Sequence, residues 1–481
     1  MIQRTKMKLE VPDGGWGWMV VLGVAATNMF NQSLISLFGL IFGEELENMG
    51  HGTSGAAFVM NSMSVVTNFS GFITGPVIKK YSYRKVAITG SLLTSIGLIL
   101  SSQATSLWQI FLSYSIISGL GLGLIAPSSF VAVNTYFSKR RGRAVGMAMA
   151  GTGLGQMLMP HVVRILLDEY GYRGTTLIIG GLALNGVVGS SLFQPINWHM
   201  KTIDEHVLLL KDNEKIVNFS TSNKSEKYQN NNASKNVVIA LQHSSTNDTK
   251  VEVERSISID SPSKALISRQ TSEAKPSLWQ RFVTILDLNL LKDPIFLSIT
   301  FGLSIVYSAG IYFSMLFPFF LQEGPPRLSR GETATCMSVL AGADIVSRLT
   351  LPMLTYKLGI GARTTFFFGT FALAFARSSI AFQDEYVMII ICSLITGYIR
   401  AGTVVNQNLT ISEYCSQDQL PYALGLNMVN KGLVVITLGQ FLGWLRDYSG
   451  SFQISIYVSN LFLIFVFIMW LPEMCWKAIK K

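Results

Sequence analysis

Asp344 and Arg348 lie four residues apart inside an otherwise apolar stretch, Gly331 to Tyr356. Residues i and i+4 share one face of a helix, so a carboxylate and a guanidinium sit side by side. The stretch is long enough to cross a bilayer, since a spanning helix needs roughly 20 apolar residues at about 1.5 Å rise each. Placing either charge in hydrocarbon costs at least about 3 kcal/mol, so such groups normally line a water-filled path or a site. The pair therefore marks a transport route. A self-neutralising pair that locks two helices together is the structural alternative.

The rest of the chain must supply the elements that hold this pair. Of 481 residues, 49% are hydrophobic and only 14% charged, and the mean hydropathy is +0.39. That is too apolar for a water-soluble domain of this length. Twelve apolar segments recur, near 16–41, 55–78, 86–102, 106–135, 143–167, 174–196, 295–321, 333–356, 363–382, 386–412, 421–445 and 452–472. Their lengths and flanking charges predict an all-α polytopic membrane protein with twelve transmembrane helices.

Six spans precede Trp198 and six follow Pro294, which predicts a tail over 1–15, one half over 16–197, a linker over 198–293, a second half over 294–473 and a tail over 474–481. The middle of the linker, Asn218 to Lys275, is rich in Ser, Asn, Thr and Lys and holds too little apolar surface to fold. Its end, Leu278 to Leu286, has apolar residues at helical spacing, as in a helix lying on the membrane surface.

The formal charge is +10, from 38 basic against 28 acidic residues. Placement, rather than total, is informative. Lys79, Lys80, Arg84 and Lys85 fall between spans two and three, Lys139, Arg140, Arg141 and Arg143 between four and five, and Lys357 and Arg363 between eight and nine. The opposite loops are acidic, with Glu44, Glu45 and Glu47, Asp168 and Glu169, and Asp384 and Glu385. The positive-inside rule then puts both termini and the linker in the cytosol. Residues Met1 to Pro12 have no apolar core of a signal peptide.

Cys336, Cys392, Cys415 and Cys475 show neither metal spacing nor a disulfide pattern. His161 is the one histidine within a span and is expected to be a packed or hydrogen-bonded helix residue. The spans show no nucleophile–base pair, metal cluster or nucleotide-binding glycine loop, so no enzymatic activity, cofactor or ATP-driven pumping is expected. The charge pattern calls for a bilayer and a small solute, and for no nucleic acid.

Two motifs frame the first half. Pro12-Asp13-Gly14-Gly15-Trp16-Gly17-Trp18 precedes span one, where Asp13 is suited to cap the helix and Trp16 and Trp18 to lie among headgroups. Span five opens with Tyr136-Phe137-Ser138-Lys139-Arg140-Arg141-Gly142-Arg143-Ala144-Val145-Gly146-Met147-Ala148-Met149-Ala150-Gly151, and small residues continue at Gly153 and Gly155. With Gly119, Gly121 and Gly123 in span four, these suit helices that approach closely and slide, or that simply pack.

Together these motifs resemble the monocarboxylate transporter family, solute carrier family 16, of the major facilitator superfamily. Both of that family's signatures are nearly complete here, the 75–84 loop resembles the superfamily's loop between spans two and three, and Ala343-Asp344 with Arg348 matches span eight. The stretch Asn406 to Cys415 is similar to insect members. The resemblance covers all the spans and implies two six-helix bundles that rock about a central cavity, in the plasma membrane.

It also implies roles. Arg348 would hold a substrate carboxylate and Asp344 a proton, because a guanidinium offers a planar fork that the acid can neutralise or release. The signature residues Asp13, Gly14, Gly15, Trp16, Trp18, Arg84, Lys139, Arg140, Arg141, Gly146 and Gly151 would couple conformations. Proton-linked members carry a lysine in span one, where this chain has Ser36. Members without it include proton-independent carriers of aromatic amino acids, thyroid hormones or creatine. Asn28, Asn31, Gln32 and Ser36 give span one a polar face suited to a neutral or zwitterionic ligand, or to helix contacts.

Arg400 and Lys431 lie mid-span and are candidates for a substitute cation, while Arg164 can snorkel to the surface. Tyr307, Tyr312 and Phe313 are candidates for the cavity wall or for packing. Some family members reach the surface with a single-span immunoglobulin-like chaperone, so the resemblance admits that partner beside a small organic acid and H+. A sensor or scaffold of the same fold that moves no solute is the non-transporting alternative.

Overall fold

Apolar helices dominate the computed structural model, which describes residues 7–32, 34–204 and 287–479. The unfolded segment expected over 218–275 and the surface helix expected over 278–286 fall outside the described residues. Two units separate. One contains an antiparallel ribbon of β1 (Met7–Glu10) and β2 (Lys201–Asp204), with Met7 opposite Asp204. Both strands lie in stretches the sequence assigns to tail and linker. The other unit, 11–200 with 282–481, is the helical body.

In that body α1 covers Trp16–Asn48, passing through a π-helical stretch at Asn28–Gln32. Helix α2 is formed by Gly52–Phe69 and Gly71–Tyr81, interrupted at Ser70. Next come α3 (Tyr83–Ser101) and α4 (Leu107–Tyr136), the latter π-helical over Phe111–Ser118. A continuous run from Arg141 bends at Gly171, whose φ of 63° is open to glycine, and is divided here into α5 (141–170) and α6 (172–191). The second half holds α7 (Pro294–Glu323), α8 (Arg330–Lys357), α9 (Ala362–Phe382), α10 (Tyr386–Tyr414), α11 (Leu420–Ser449) and α12 (Phe452–Ile479). Ten runs are long and apolar enough to span a membrane among the described residues. The bend at Gly171 divides one of them into two spans, and the interrupted α2 supplies the twelfth.

Why these helices start where they do is partly local. Ser329 and Glu332 form a reciprocal capping box at α8. Asp293 caps α7, accepting from Ile295 N at 2.9 Å, and Pro294 fits the first turn. The Tyr414 hydroxyl donates to the same carboxylate and holds it below the usual carboxylate range. Glu413, at the end of α10, accepts from the Ala362 and Arg363 amides and so caps α9 from another helix.

The buried apolar side chains fall into three groups. One joins both halves of the chain, running from Val20, Val145 and Ala148 to Leu409, Leu420 and Leu424. A second is confined to the first half, around Phe38, Phe42 and Tyr114. The third is confined to the second half, around Phe313, Phe317 and Phe320. The core is thus shared near the basic loops and split toward the acidic ones. The body is a pair of bundles closed at one end.

Candidate functional site

Two seams join the bundles. Along α5 and α8, a Cβ at Gly146 would run into the Arg348 carbonyl, and one at Gly153 would meet Ile345 at 2.6 Å. Along α2 and α11, a Cβ at Gly71 would strike the Gly425 carbonyl, and one at Gly75 would lie 2.9 Å from the Pro421 carbonyl. Absent side chains are what let these backbones meet. Gln156, Met157, Met337 and Ser338 continue the α5 and α8 faces toward the acidic loops, and all are exposed. Lys79 reaches Asp418 and Arg141 Nη1 donates to the Ser412 carbonyl at 3.5 Å, bridging the basic end. The lysine holds the Asp418 carboxyl below its ordinary value of 3.8.

Asp344 and Arg348 lie on the first seam. Each is 5% exposed, and Arg348 Nε donates to Asp344 Oδ2 at 2.5 Å. Helical spacing brings the two together, as the sequence predicts, but their third partner belongs to the other bundle. Arg348 Nη1 donates to the Met149 carbonyl of α5 at 3.2 Å. Asp344 Oδ1 is buried and has no hydrogen-bond partner among the described residues. An unpaired acceptor in a buried site costs about 1–3 kcal/mol, so this oxygen has room for a hydrogen-bond donor.

The second seam also carries a buried cation. Lys431 Nζ lies 3.4 Å from Gln407 Oε1 of α10 and 4.6 Å from the centre of the Tyr307 ring of α7. Asn68 of α2 lies near the Tyr307 hydroxyl. Asn68 packs against Gly432, one residue beyond Lys431. The composition of this cluster was not legible, because four helices contribute one residue each.

Other expected residues go elsewhere. Asn31 Nδ2 donates to the Thr27 and Ala183 carbonyls at 3.3 and 3.5 Å, between α1 and α6, while its Oδ1 is buried with no hydrogen-bond partner among the described residues. Asn28 likewise donates to the Ala148 carbonyl at 3.1 Å. The Tyr312 hydroxyl is used on the Leu442 carbonyl at 2.9 Å, which ties α7 to α11. Gln32 is half-buried, and the Ser36 side chain lies outside the described residues although its backbone belongs to α1. Arg400 is half-buried on α10, within electrostatic reach of Arg377. Arg377 is 1% exposed, donates to the Ala309 carbonyl at 3.2 Å and lies 4.6 Å from the Phe313 ring.

The signature motifs meet each other. Asp13 does not cap α1, whose N-cap is Gly15 with no side-chain bond. It instead accepts from the amides of Ser138, Lys139 and Arg140 at 2.8, 3.0 and 3.4 Å, at the start of α5. Gly15 takes a φ of 57° to let the chain turn there, beside Gly14. Trp16 and Trp18 are half-buried in protein: Trp16 stacks on His199 with centroids 5.2 Å apart, and Trp18 meets Phe137 edge-on at 5.0 Å. Gly151 abuts Ala25 of α1, and Gly121 and Gly123 pack against α3 and α2, so these glycines serve contacts within one bundle. Arg84 is half-buried, Lys139 and Arg140 are exposed, and so are Arg164 and His161, which removes the packed alternative for the histidine.

Comparison with known proteins agrees with this architecture. The family model described as Major Facilitator Superfamily matches residues 20–438. Monocarboxylate transporter 12-B of Danio rerio is 26% identical over 458 residues, covering 94% of this chain and 86% of its own. Monocarboxylate transporter 1 of Bos taurus is 25% identical over 457 residues, covering 94% and 83%. The solved proton:xylose symporter XylE, bound to 6-bromo-6-deoxy-D-glucose, superposes with a TM-score of 0.62 at 11% identity and 95% coverage of both chains. At that identity the likeness concerns the fold.

Proposed function

The chain belongs to the Major Facilitator Superfamily, a family of membrane transporters, and on that premise we propose that it carries monocarboxylates or related small organic acids by alternating access. The observation that carries the reading is the buried Asp344–Arg348 pair on a seam that must open and close. In the closed form Arg348 is held by Asp344 on its own helix and by Met149 across the seam. Parting α5 from α8 breaks the Met149 bond and turns N–H donors of a planar guanidinium toward the cavity. A carboxylate fits that fork.

Asp344 then decides how tightly the anion is held. Ionised, it competes with the substrate for Arg348. Protonated on the unpartnered Oδ1, it releases the guanidinium to the incoming carboxylate. One anion and one proton crossing together move no net charge, which keeps the closed, dry intermediate free of an unbalanced ion. By the positive-inside rule the basic end is cytosolic. The conformation described here is then closed to the cytosol, in a carrier of the plasma membrane.

Ser36 favours a second reading. It is uncharged where the family's proton-linked members carry lysine, so the carrier would be proton-independent and its solutes would include aromatic amino acids, creatine or similar compounds. Uptake of labelled pyruvate, lactate, phenylalanine and creatine into oocytes at external pH 6 and 8 separates the two. The first reading expects acid-stimulated uptake of the carboxylates, reduced about tenfold or more by Arg348→Lys, which keeps the charge and loses the fork. Full uptake of every transported acid by that variant would remove Arg348 from the reading. Uptake indifferent to pH favours the second.

A further inference from the structure

We propose that Lys431 is a second anion-holding group on the same transport route, so that preferred solutes carry two acidic groups, one for Arg348 and one for Lys431. The inference rests on the transport reading above and goes beyond it in naming a solute class.

Each seam buries one cation of the second bundle beside a contact to the first. On the α5–α8 seam this is Arg348, 5% exposed and bonded to Met149. On the α2–α11 seam it is Lys431, 8% exposed, adjacent to the Gly432–Asn68 contact. Arg348 has a carboxylate partner in Asp344. Lys431 has none among the described residues: its neighbours are an amide oxygen, Gln407 Oε1, and the face of Tyr307. Arg377 and Arg400 add positive charge on the same bundle, again without a carboxylate partner among the described residues.

An ammonium taken out of water is stabilised only by a counter-charge or by several good acceptors. One amide oxygen at 3.4 Å and one aromatic face supply part of that. The missing part is an anion. When the seam opens, the Asn68–Gly432 contact parts and Lys431 faces the space between the bundles, as Arg348 does on the opposite seam. A monocarboxylate would satisfy one of the two cations, with Asp344 competing for it. A dicarboxylate satisfies both, and tethers the second acidic group near Lys431 once the first is on Arg348.

The test measures uptake of succinate and of propionate, which matches it in carbon skeleton but for one carboxylate, into proteoliposomes. The readout is the ratio of their kcat/KM values, which cancels the amount of folded protein. Wild type should favour succinate at least tenfold. Lys431→Gln should lower the ratio at least tenfold, and Lys431→Arg should retain most of it. A wild type that favours propionate, or a ratio unmoved by Lys431→Gln, overturns the proposal. If Arg348→Lys spares uptake of both acids while Lys431→Gln still collapses the ratio, the Arg348 reading fails and Lys431 stands as an anion site in its own right.

Discussion

Asp344 and Arg348 show how a spacing of four residues can be legible while its purpose depends on tertiary structure. The i, i+4 relation needs only a helix. The Met149 carbonyl that completes the guanidinium comes from the other bundle, and no local pattern announces a backbone acceptor. Asn31 makes the opposite case. Its polarity suggests a pocket, and small residues of α6, Ala183 and Gly186, bring a helix close enough for Nδ2 to donate across to it, which leaves Oδ1 without a partner among the described residues. At this scale, replacing Asp344 with Asn leaves Arg348 buried without its counter-charge. Breaking a buried pair from one side costs about 3–5 kcal/mol, so Asp344→Asn should melt several degrees lower in detergent. Replacing both as Asp344→Asn with Arg348→Met should recover much of the loss. No recovery in the double variant would mean that the pair's energy lies elsewhere.

At the scale of elements, glycines and caps set which helices can touch. The small-residue pattern in α4 and α5 is visible in the sequence, but its partners are not. Gly121 and Gly123 turn out to face α3 and α2 within one bundle, whereas Gly146 and Gly153 face α8 across the seam. The matching contacts of Gly71 and Gly75 with Gly425 and Pro421 were not legible either, because small residues four apart in α2 do not name the helix they meet. Asp13 was legible as a capping residue but not as the cap of α5, since it sits 125 residues before Ser138. Its carboxylate ties the chain before α1 to the loop after α4. Side chains at Gly71 or Gly425 would block closure at the basic end. Gly71→Leu and Gly425→Leu should therefore lower the uptake rate at least tenfold while the protein remains monodisperse on size exclusion. Normal uptake in both would show that this seam need not close during transport.

For the whole molecule, the fold was legible because a helix in lipid must satisfy its own backbone, so span length and flanking charge suffice. The conformation was not legible, because every alternating state shares the same spans. It is set by a core common to both bundles at the basic end and split at the other. Lys79, in the last turn of α2, and Asp418, in the loop after α10, close that end from opposite bundles. The lysine lowers the Asp418 carboxyl below 3.8, so this contribution to closure is complete above that value and lost only as the pH falls through the lowered one. Both partners are exposed, and such pairs are weak and salt-sensitive. Acidification from pH 8 to pH 6 should therefore leave this latch intact, and Asp418→Asn should not alter the pH profile of uptake. A profile displaced by that substitution would move the pH-sensing group from Asp344 to the basic end.

The claim on which the rest stands is that the seam around Arg348 opens to water on alternate sides. Ile345 lies on that seam opposite Gly153, which makes it a reporter beside the pair. With Cys336, Cys392, Cys415 and Cys475 replaced, a cysteine at position 345 is labelled by a membrane-impermeant maleimide applied to either face of oriented vesicles. Alternating access predicts labelling from both faces, with a transported acid on one side changing the two rates in opposite directions. Labelling from neither face, or rates indifferent to every acid the protein carries, would contradict it.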